Sequence, residues 1–530
     1  MAKTIMLQGT MSDVGKSVIT AGLCRILKRD GYRVASFKSQ NMALNSFVTR
    51  DGYEMGRAQA MQAAAAGIAP DVRMNPVLLK PTGHMSSQVI VMGEIRGEMS
   101  ASEYYDYKDE LMAEVLSAYE SLAKENDVIV IEGAGSAAEI NLKDKDIVNM
   151  GLAKALKAPV CLVGDIDRGG VFAQLYGTVE LLEEDERRLV KGLIINKFRG
   201  DKKLLDPGLL MIEEKLDIPV LGVVNYMDLK LEDEDSLSRR LISGSAKNVS
   251  YGGMSGISGD LWHSVTQQGL PDDRGALQGA PGVLQGAPNI DIAVIRFPYI
   301  SNFTDLNVFD QIREVSVRYV NSPEDIKTPD MLVLPGSKNT NEDMRWLFEK
   351  GFAPVIRELA EEIPVFGICG GFQMLGRSIR DESAGGDICE GLGFFAHDTV
   401  IKNDKIRRQV SGWLDEVDGI FSGLSGREYE GYEIHMGRTF DEKGEDVNRD
   451  KKVLFKAKGA QVYGTYVHGI FDRARVLGAL VNALGEKKGV ELDLSDLKDH
   501  AQFMAQQFDL LADEVAQSLD MKKIYEIIGI

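Results

Sequence analysis

Gly9-Thr-Met-Ser-Asp-Val-Gly-Lys-Ser17 stands between an apolar run, Thr4–Leu7, and an amphipathic stretch, Lys16–Lys28. A strand that ends in a glycine loop and passes into a helix is the phosphate-binding turn of parallel α/β sheets. The closing Gly15-Lys16-Ser17 matches the P-loop, although five residues rather than four separate Gly9 from Gly15. N–H groups of the loop and the positive helix end can cradle phosphate oxygens. Gly9, Asp13 and Gly15 shape the cradle, Lys16 can reach the β- and γ-phosphates, and the Ser17 hydroxyl can ligate Mg²⁺. The expected ligands are therefore ATP and Mg²⁺.

Further apolar runs follow at Arg33–Phe37, Val128–Ile131, Val160–Val163, Leu193–Asn196 and Val220–Val223, with helical patterns such as Ala113–Lys124 between them. Short runs this apolar, separated by helices, predict a parallel sheet covered on both faces. Glu132 closes the third run ahead of Gly133-Ala-Gly135, where a second metal ligand is expected. Asp165 and Asp167 close the fourth. All of these lie at the carboxyl ends of strands, where open α/β sheets collect their ligands.

The texture changes between Leu241 and Asn289, which is rich in Gly, Ser, Pro and Gln and carries a near-repeat, Gly275-Ala-Leu-Gln-Gly-Ala-Pro then Gly282-Val-Leu-Gln-Gly-Ala-Pro. Such a composition predicts a flexible linker. Alternation restarts at Asp291–Phe297 and continues through Met331–Leu334, Pro364–Ile368, Gly431–His435 and Gln461–Val467. The expectation is an α/β chain of two doubly wound domains: a P-loop parallel sheet over residues 1–240, a linker over 241–289 and a flavodoxin-like domain over 290–485. The amphipathic segment 486–530 is expected to pack as helices on the second domain.

Pro364-Val-Phe-Gly-Ile-Cys-Gly-Gly-Phe-Gln-Met-Leu-Gly376 carries the chemistry of the second half. A strand ends at Cys369, and glycines at 367, 370 and 371 permit a tight turn into a helix, the design that lifts a nucleophile above a sheet. Helix N-termini favour the thiolate, and peptide N–H groups at such a turn can hold an oxyanion, Gly370 among them. A thiolate attacking an amide also needs a proton carrier. His468, in Tyr463-Gly-Thr-Tyr-Val-His-Gly469, follows a strand and precedes glycine, which suits it to face Cys369; His435 is its rival. Cys24 sits in a helical pattern and Cys161 in an apolar strand, and both read as small core residues.

The chain has 530 residues, more than one core supports, and a net charge of −19 that argues against a general nucleic-acid binder. Its four cysteines form no CxxC pair, so neither a disulfide framework nor a structural zinc site is expected. No signal-like N-terminal pattern and no apolar run of membrane-spanning length occurs, so a cytoplasmic location with no membrane partner is expected.

The five-residue loop resembles that of the dethiobiotin-synthetase-like branch of P-loop proteins, whose members phosphorylate a carboxylate or carbamate. Together with the Cys369 elbow it resembles class I glutamine amidotransferases of the cobyric acid and cobyrinic acid amide synthase group. The likeness is carried by Phe37-Lys-Ser-Gln-Asn-Met-Ala-Leu-Asn-Ser46, Glu54-Met-Gly-Arg-Ala-Gln59, Asn75-Pro-Val-Leu-Leu-Lys-Pro-Thr82, Arg296-Phe-Pro-Tyr-Ile-Ser-Asn-Phe-Thr-Asp305 and Pro335-Gly-Ser-Lys-Asn-Thr340. It covers nearly the whole chain, and the segments 39–46 and 300–305 point to the cobyric acid branch. The resemblance implies ATP- and L-glutamine-dependent amidation of the b, d, e and g carboxylates of adenosylcobyrinic acid a,c-diamide, within vitamin B12 biosynthesis. It also implies an oxyanion-hole amide at Gly336, and Lys38, Gln40, Asn41 and Asn45 lining a nucleotide–corrinoid cleft. Class I amidotransferases commonly place Glu two residues after the catalytic His, where this chain has Ile470. Glu433 and Asp472 are then the candidates for a third triad member, with a Cys–His dyad as the alternative. Two other functions fit the same motifs. One is a related corrinoid amidase acting on other carboxylates. The second is a MinD/ParA-type P-loop switch carrying an inactive amidotransferase module, which predicts no glutaminase.

Overall fold

The computed structural model describes residues 2–82, 86–232, 290–382, 385–448 and 452–530. The linker expected over 241–289, with its near-repeat, lies outside the described residues.

Six parallel strands form the first sheet: β1 (Lys3–Gly9), β2 (Val34–Phe37), β3 (Val128–Glu132), β4 (Val160–Asp165), β5 (Val190–Phe198) and β6 (Val220–Asn225). Their order is β6-β5-β4-β1-β3-β2, all pairings parallel. β3 and β4 are buried along their whole length, as expected of strands with helices on both faces. β1 lies where the strand order reverses, so the loop after it opens into the crevice that α/β sheets use for ligands. The second parallel sheet comprises β7 (Ile290–Ile295), β8 (Val315–Val320), β9 (Met331–Leu334), β10 (Val365–Ile368), β11 (Leu454–Lys456) and β12 (Val462–Thr465). Its order is β8-β7-β9-β10-β12-β11, with only the edge strand β11 antiparallel. The five parallel strands thus run 2-1-3-4-5, the flavodoxin-like arrangement expected from the sequence.

Two features depart from that expectation. A four-stranded sheet of Gln40–Met42, Val77–Pro81, Ser86–Val91 and Glu94–Ser100 is inserted into the first domain. In the second, Gly431–His435 belongs to a long antiparallel hairpin, Asp398–Trp413 with Glu428–Phe440, and not to the parallel sheet. The hairpin reaches across to the first domain. Gln409 donates to the Val48 carbonyl, Arg407 pairs with Glu94 at 2.9 Å, and Tyr432 and Ile434 pack on Val48.

The C-terminal segment meets the second domain only at its start, where Leu492, Leu494 and Leu497 pack as expected; the helices that follow do not. Helices His500–Ser518 and Met521–Ile528 pack on the first domain, not the second. Phe508, Leu511 and Val515 are buried in one cluster with Ile19, Leu23 and Val163. A Cβ on Gly22 of helix Lys16–Arg29 would lie 2.9 Å from Val515 Cγ2, so the small residue lets the two helices approach. Arg25 binds Asp509 at 2.8 Å, and the Asp520 N–H donates to the Leu221 carbonyl at 2.7 Å. An amphipathic pattern states that a helix must bury one face but not which sheet supplies the cover, and here the first sheet does.

Candidate active site

The first cluster of site residues grows from the carboxyl ends of β1, β2 and β3. After Gly9 the chain turns through Asp13 and Gly15, at φ +59° and +94°, before helix Lys16–Arg29 begins. The left-handed conformation at Gly15 favours glycine, and a Cβ there would strike Asn196 Nδ2 at 2.2 Å. Asn196 Nδ2 donates to the Val14 carbonyl at 2.7 Å and fixes the loop from β5. Lys16 Nζ is held over the loop by the carbonyls of Met11 at 3.2 Å and Gly135 at 3.1 Å. Asp13 sits on the exposed rim, 3.7 Å from Arg168. Asp165 and Asp167 take Lys197 and Arg199, at 2.8 and 3.2 Å.

Glu132 is fully buried at the end of β3 and gathers three donors. Ser17 Oγ donates to Oε1 at 2.7 Å, Lys38 Nζ to the same oxygen at 2.8 Å, and Gln62 Nε2 to Oε2. Hydroxyl and carboxylate oxygens side by side, next to a glycine cradle and a lysine, form a hard-oxygen donor set that fits Mg²⁺ and nucleotide phosphates. Among the described residues no group of three or more His, Cys, Asp or Glu side chains could hold a metal by itself.

The four residues expected to line the corrinoid cleft divide. Lys38 is committed to Glu132. Gln40 borders a cavity of about 220 Å³ with Gly135, Lys143 and Asn149. Asn41 is buried and bonds Gln59 at 3.1 Å. Asn45 is 1% exposed, and among the described residues neither atom of its side-chain amide has a hydrogen-bond partner. A buried amide in that condition is costly unless a ligand satisfies it.

The second cluster stands at the carboxyl ends of β7, β9, β10 and β12. Cys369 follows β10 at φ +51°, a conformation costly for a residue with a side chain and typical of a nucleophile elbow. His468 follows β12, is fully buried and stacks on Tyr432 with ring centroids 5.3 Å apart. Its Nδ1 binds Asp305 Oδ2 at 2.7 Å, while Asp305 Oδ1 accepts the Gly469 N–H at 2.9 Å. The carboxylate is thus anchored at both oxygens and fixes the imidazole. Burial opposes charge on this ring. The charge and hydrogen bond of Asp305, with a further contribution from the Cys369 thiol, overcome that and hold His468 up to about 10. The short strand Gly336–Ser337 after β9, paired with Ile300–Ser301, closes the group. A Cβ on Gly336 would lie 3.2 Å from His468 Cε1, and one on Gly370 only 2.8 Å from the Ser337 N.

Neither residue proposed as the third triad member fills that place. Glu433 sits 3.6 Å from Nε2 of the rival His435 and is bound by Arg408. Asp472 is half-buried beside Gly469, and desolvation pushes its carboxyl up to about 6. The residue on His468 is Asp305. It arrives from β7, at the end of the 296–305 segment whose sequence carried the family likeness without disclosing a role. His435 Nδ1 donates to the Gly437 carbonyl, 2.7 Å away, and the ring stacks on Tyr466. Cys24 and Cys161 are fully buried, and burial pushes Cys161 up to about 12 and Cys24 higher. They are core residues, as the sequence indicates.

The two clusters touch. Asn302 Oδ1 accepts the Ser46 N–H at 3.0 Å, and its Nδ2 lies 3.5 Å from His468 Nε2. Tyr432, stacked on the same ring, donates to the Ser46 carbonyl at 3.2 Å.

Comparison with known proteins agrees with this geometry. Residues 5–237 match the CobQ/CobB/MinD/ParA nucleotide binding domain, and residues 291–476 the CobB/CobQ-like glutamine amidotransferase domain. The chain is 49% identical over 550 residues to cobyric acid synthase of Lachnoclostridium phytofermentans, with 99% of each chain covered. It is 49% identical to that of Ruminiclostridium cellulolyticum, covering 100% of this chain and 97% of the relative. For that of Citrobacter koseri the figures are 47%, 99% and 98%.

The chain belongs to the cobyric acid synthase family. It is accordingly a glutamine-dependent amide-forming ligase with a nucleotide-binding half and an amidotransferase half. No described helix is long and apolar enough to cross a membrane.

Proposed function

We propose that this enzyme amidates the b, d, e and g carboxylates of adenosylcobyrinic acid a,c-diamide, using one ATP and one glutamine per amide. The observation that supports a working glutaminase is the Cys369–His468–Asp305 arrangement at the ends of β10, β12 and β7. It also weighs against the inactive-module switch, since such a module has no need of a carboxylate anchored on the histidine. The Cys369 thiolate attacks the carboxamide carbon of glutamine, and backbone N–H groups at Gly336 and Gly370 hold the oxyanion. As the C–N bond breaks, the His468 imidazolium gives its proton to the leaving nitrogen and ammonia departs. His468 then takes a proton from the water that cleaves the thioester, releasing glutamate.

At the first cluster a corrinoid carboxylate oxygen attacks the γ-phosphorus of ATP, giving an acyl phosphate and ADP. Ammonia adds to the acyl carbon, and phosphate leaves as the amide forms. Gly9, Asp13, Gly15 and Lys16 would hold the nucleotide phosphates, and Ser17 and Glu132 the Mg²⁺, which when bound offsets charge on those phosphates. Gln40 and the unsatisfied Asn45 would meet the corrinoid, whose carboxamides can pair with side-chain amides. Mass spectrometry of the a,c-diamide incubated with ATP, Mg²⁺ and glutamine tests the assignment. Four successive losses of about one mass unit are expected, because each hydroxyl oxygen is replaced by an NH₂ nitrogen. An unchanged substrate would refute it.

A further inference from the structure

A cavity of about 260 Å³ lies between the domains, with Cys369, His435 and three lysines, Lys80, Lys338 and Lys405, in its wall. Lys80 lies in Val77–Pro81 of the first domain, Lys338 follows the short strand Gly336–Ser337, and Lys405 sits where the hairpin register shifts between Ile401 and Ile406. One buried carboxylate, Glu54, serves two of them: Oε1 is 2.9 Å from Lys80 Nζ and Oε2 is 2.6 Å from Lys405 Nζ. Lys338 Nζ reaches the neutral Gln88 amide oxygen at 3.3 Å. Three ammonium groups therefore share a single buried counter-charge. Burial, then repulsion from Lys80, lowers Lys338 to about 8. Burial together with Lys80 and Lys338 lowers Lys405 to about 7 against the pull of Glu54. The other carboxylates on the cavity are Glu98, which is exposed, and Asp381, which is half-buried. Water screens both more than it does the lysines.

Buried positive charge in excess is expensive unless an anion joins it. Glutamine brings one. With its carboxamide carbon at Cys369, its α-carboxylate stands at the far end of the same short chain, inside the same cavity. We infer that Lys80, Lys338 and Lys405 form the subsite for the α-carboxylate of glutamine, so that the first domain completes the glutamine pocket of the second. Glu98 and Asp381, at the wetter side, suit the α-ammonium. This inference rests on Cys369 being the nucleophile.

The test compares ammonia release from L-glutamine and from L-glutamine α-amide, in which the carboxylate is replaced by a neutral carboxamide. The full-length enzyme should prefer glutamine by about 10²-fold in kcat/KM, because the amide leaves the lysines without their anion. Lys338→Met, which leaves the Glu54 pairs intact, should cut that preference about tenfold or more, chiefly through the KM for glutamine. Lys80→Met provides a second variant. The ratio is taken within one preparation, so it does not depend on the fraction of folded enzyme. An unchanged ratio in both variants, with ammonia release still dependent on Cys369, would overturn the subsite alone. Ammonia release that survives Cys369→Ala would overturn the nucleophile assignment and the subsite with it.

Discussion

Glu132 and Asp305 are both buried carboxylates at the carboxyl ends of parallel sheets, yet they keep different company. Glu132 is the meeting point of Ser17, Lys38 and Gln62, three donors that a hard cation and phosphates can share. Asp305 is pinned between one ring nitrogen and one backbone N–H. The first arrangement suits recognition, because its donors can exchange partners as ligands arrive. The second suits covalent chemistry, because the imidazole it orients must pass protons along a fixed line. In the proposed mechanism one half is a cradle whose reaction is done by ATP, while the other carries its own nucleophile.

Lys16→Ala bears most heavily on the contrast. It should abolish amide synthesis with glutamine or with ammonium salts, while ammonia release from glutamine continues. Retained synthesis would mean that the P-loop does not hold the reacting nucleotide. Asp305→Asn is the counterpart in the other half. It should lower glutamine-dependent turnover about 10³-fold by releasing the His468 tautomer, and leave ammonium-driven synthesis in place. Loss of less than about tenfold would return the third-residue question to a Cys–His dyad.

The pH profile sharpens the same comparison. His468 is raised by Asp305, so its imidazolium persists below a pH of about 10 and is lost above it. Expulsion of ammonia needs that proton. Glutaminase kcat/KM should therefore decline as pH rises through about 10, and in Asp305→Asn the decline should move down toward the ordinary histidine range near 6.5. A basic limb that stays put in the variant would separate Asp305 from the titration.

The smallest expected effect concerns assembly. Leu511→Ala should cost about 2–5 kcal/mol, because Leu511 is fully buried against the first domain. Hydrogen exchange should accelerate in Lys16–Arg29 and not in the elbow helix Gly370–Met374. Acceleration centred on the elbow would contradict the placement of the C-terminal helices.

Much of this was legible in the sequence, and what was hidden has physical reasons. The strands of the first sheet announce themselves because burial on both faces leaves unbroken apolar runs, and GKS after such a run leaves few other readings. The elbow is visible because tight turns demand glycine at fixed offsets. Asp305 was not visible as a base-orienting residue: it lies 163 positions before His468 and meets it only because β7 and β12 deliver both loops to one sheet edge. Asp472 lies four positions after His468 and Glu433 two before His435, yet the carboxylate on His468 is neither of them. The inserted sheet over 40–100 is short and partly exposed, so its alternation is weak. The lysine cavity draws on both domains and on a register shift, none of which a local pattern records.

In the proposed reaction, nitrogen released at Cys369 is used at the P-loop. Cys369→Ala enzyme supplied with ATP, Mg²⁺ and the a,c-diamide, and given either amide-¹⁵N-glutamine or ¹⁵N-ammonium, tests it most directly. Four ¹⁵N amides are expected from ammonium and none from glutamine. Label incorporated from glutamine, or failure with both sources in a folded protein, would contradict it.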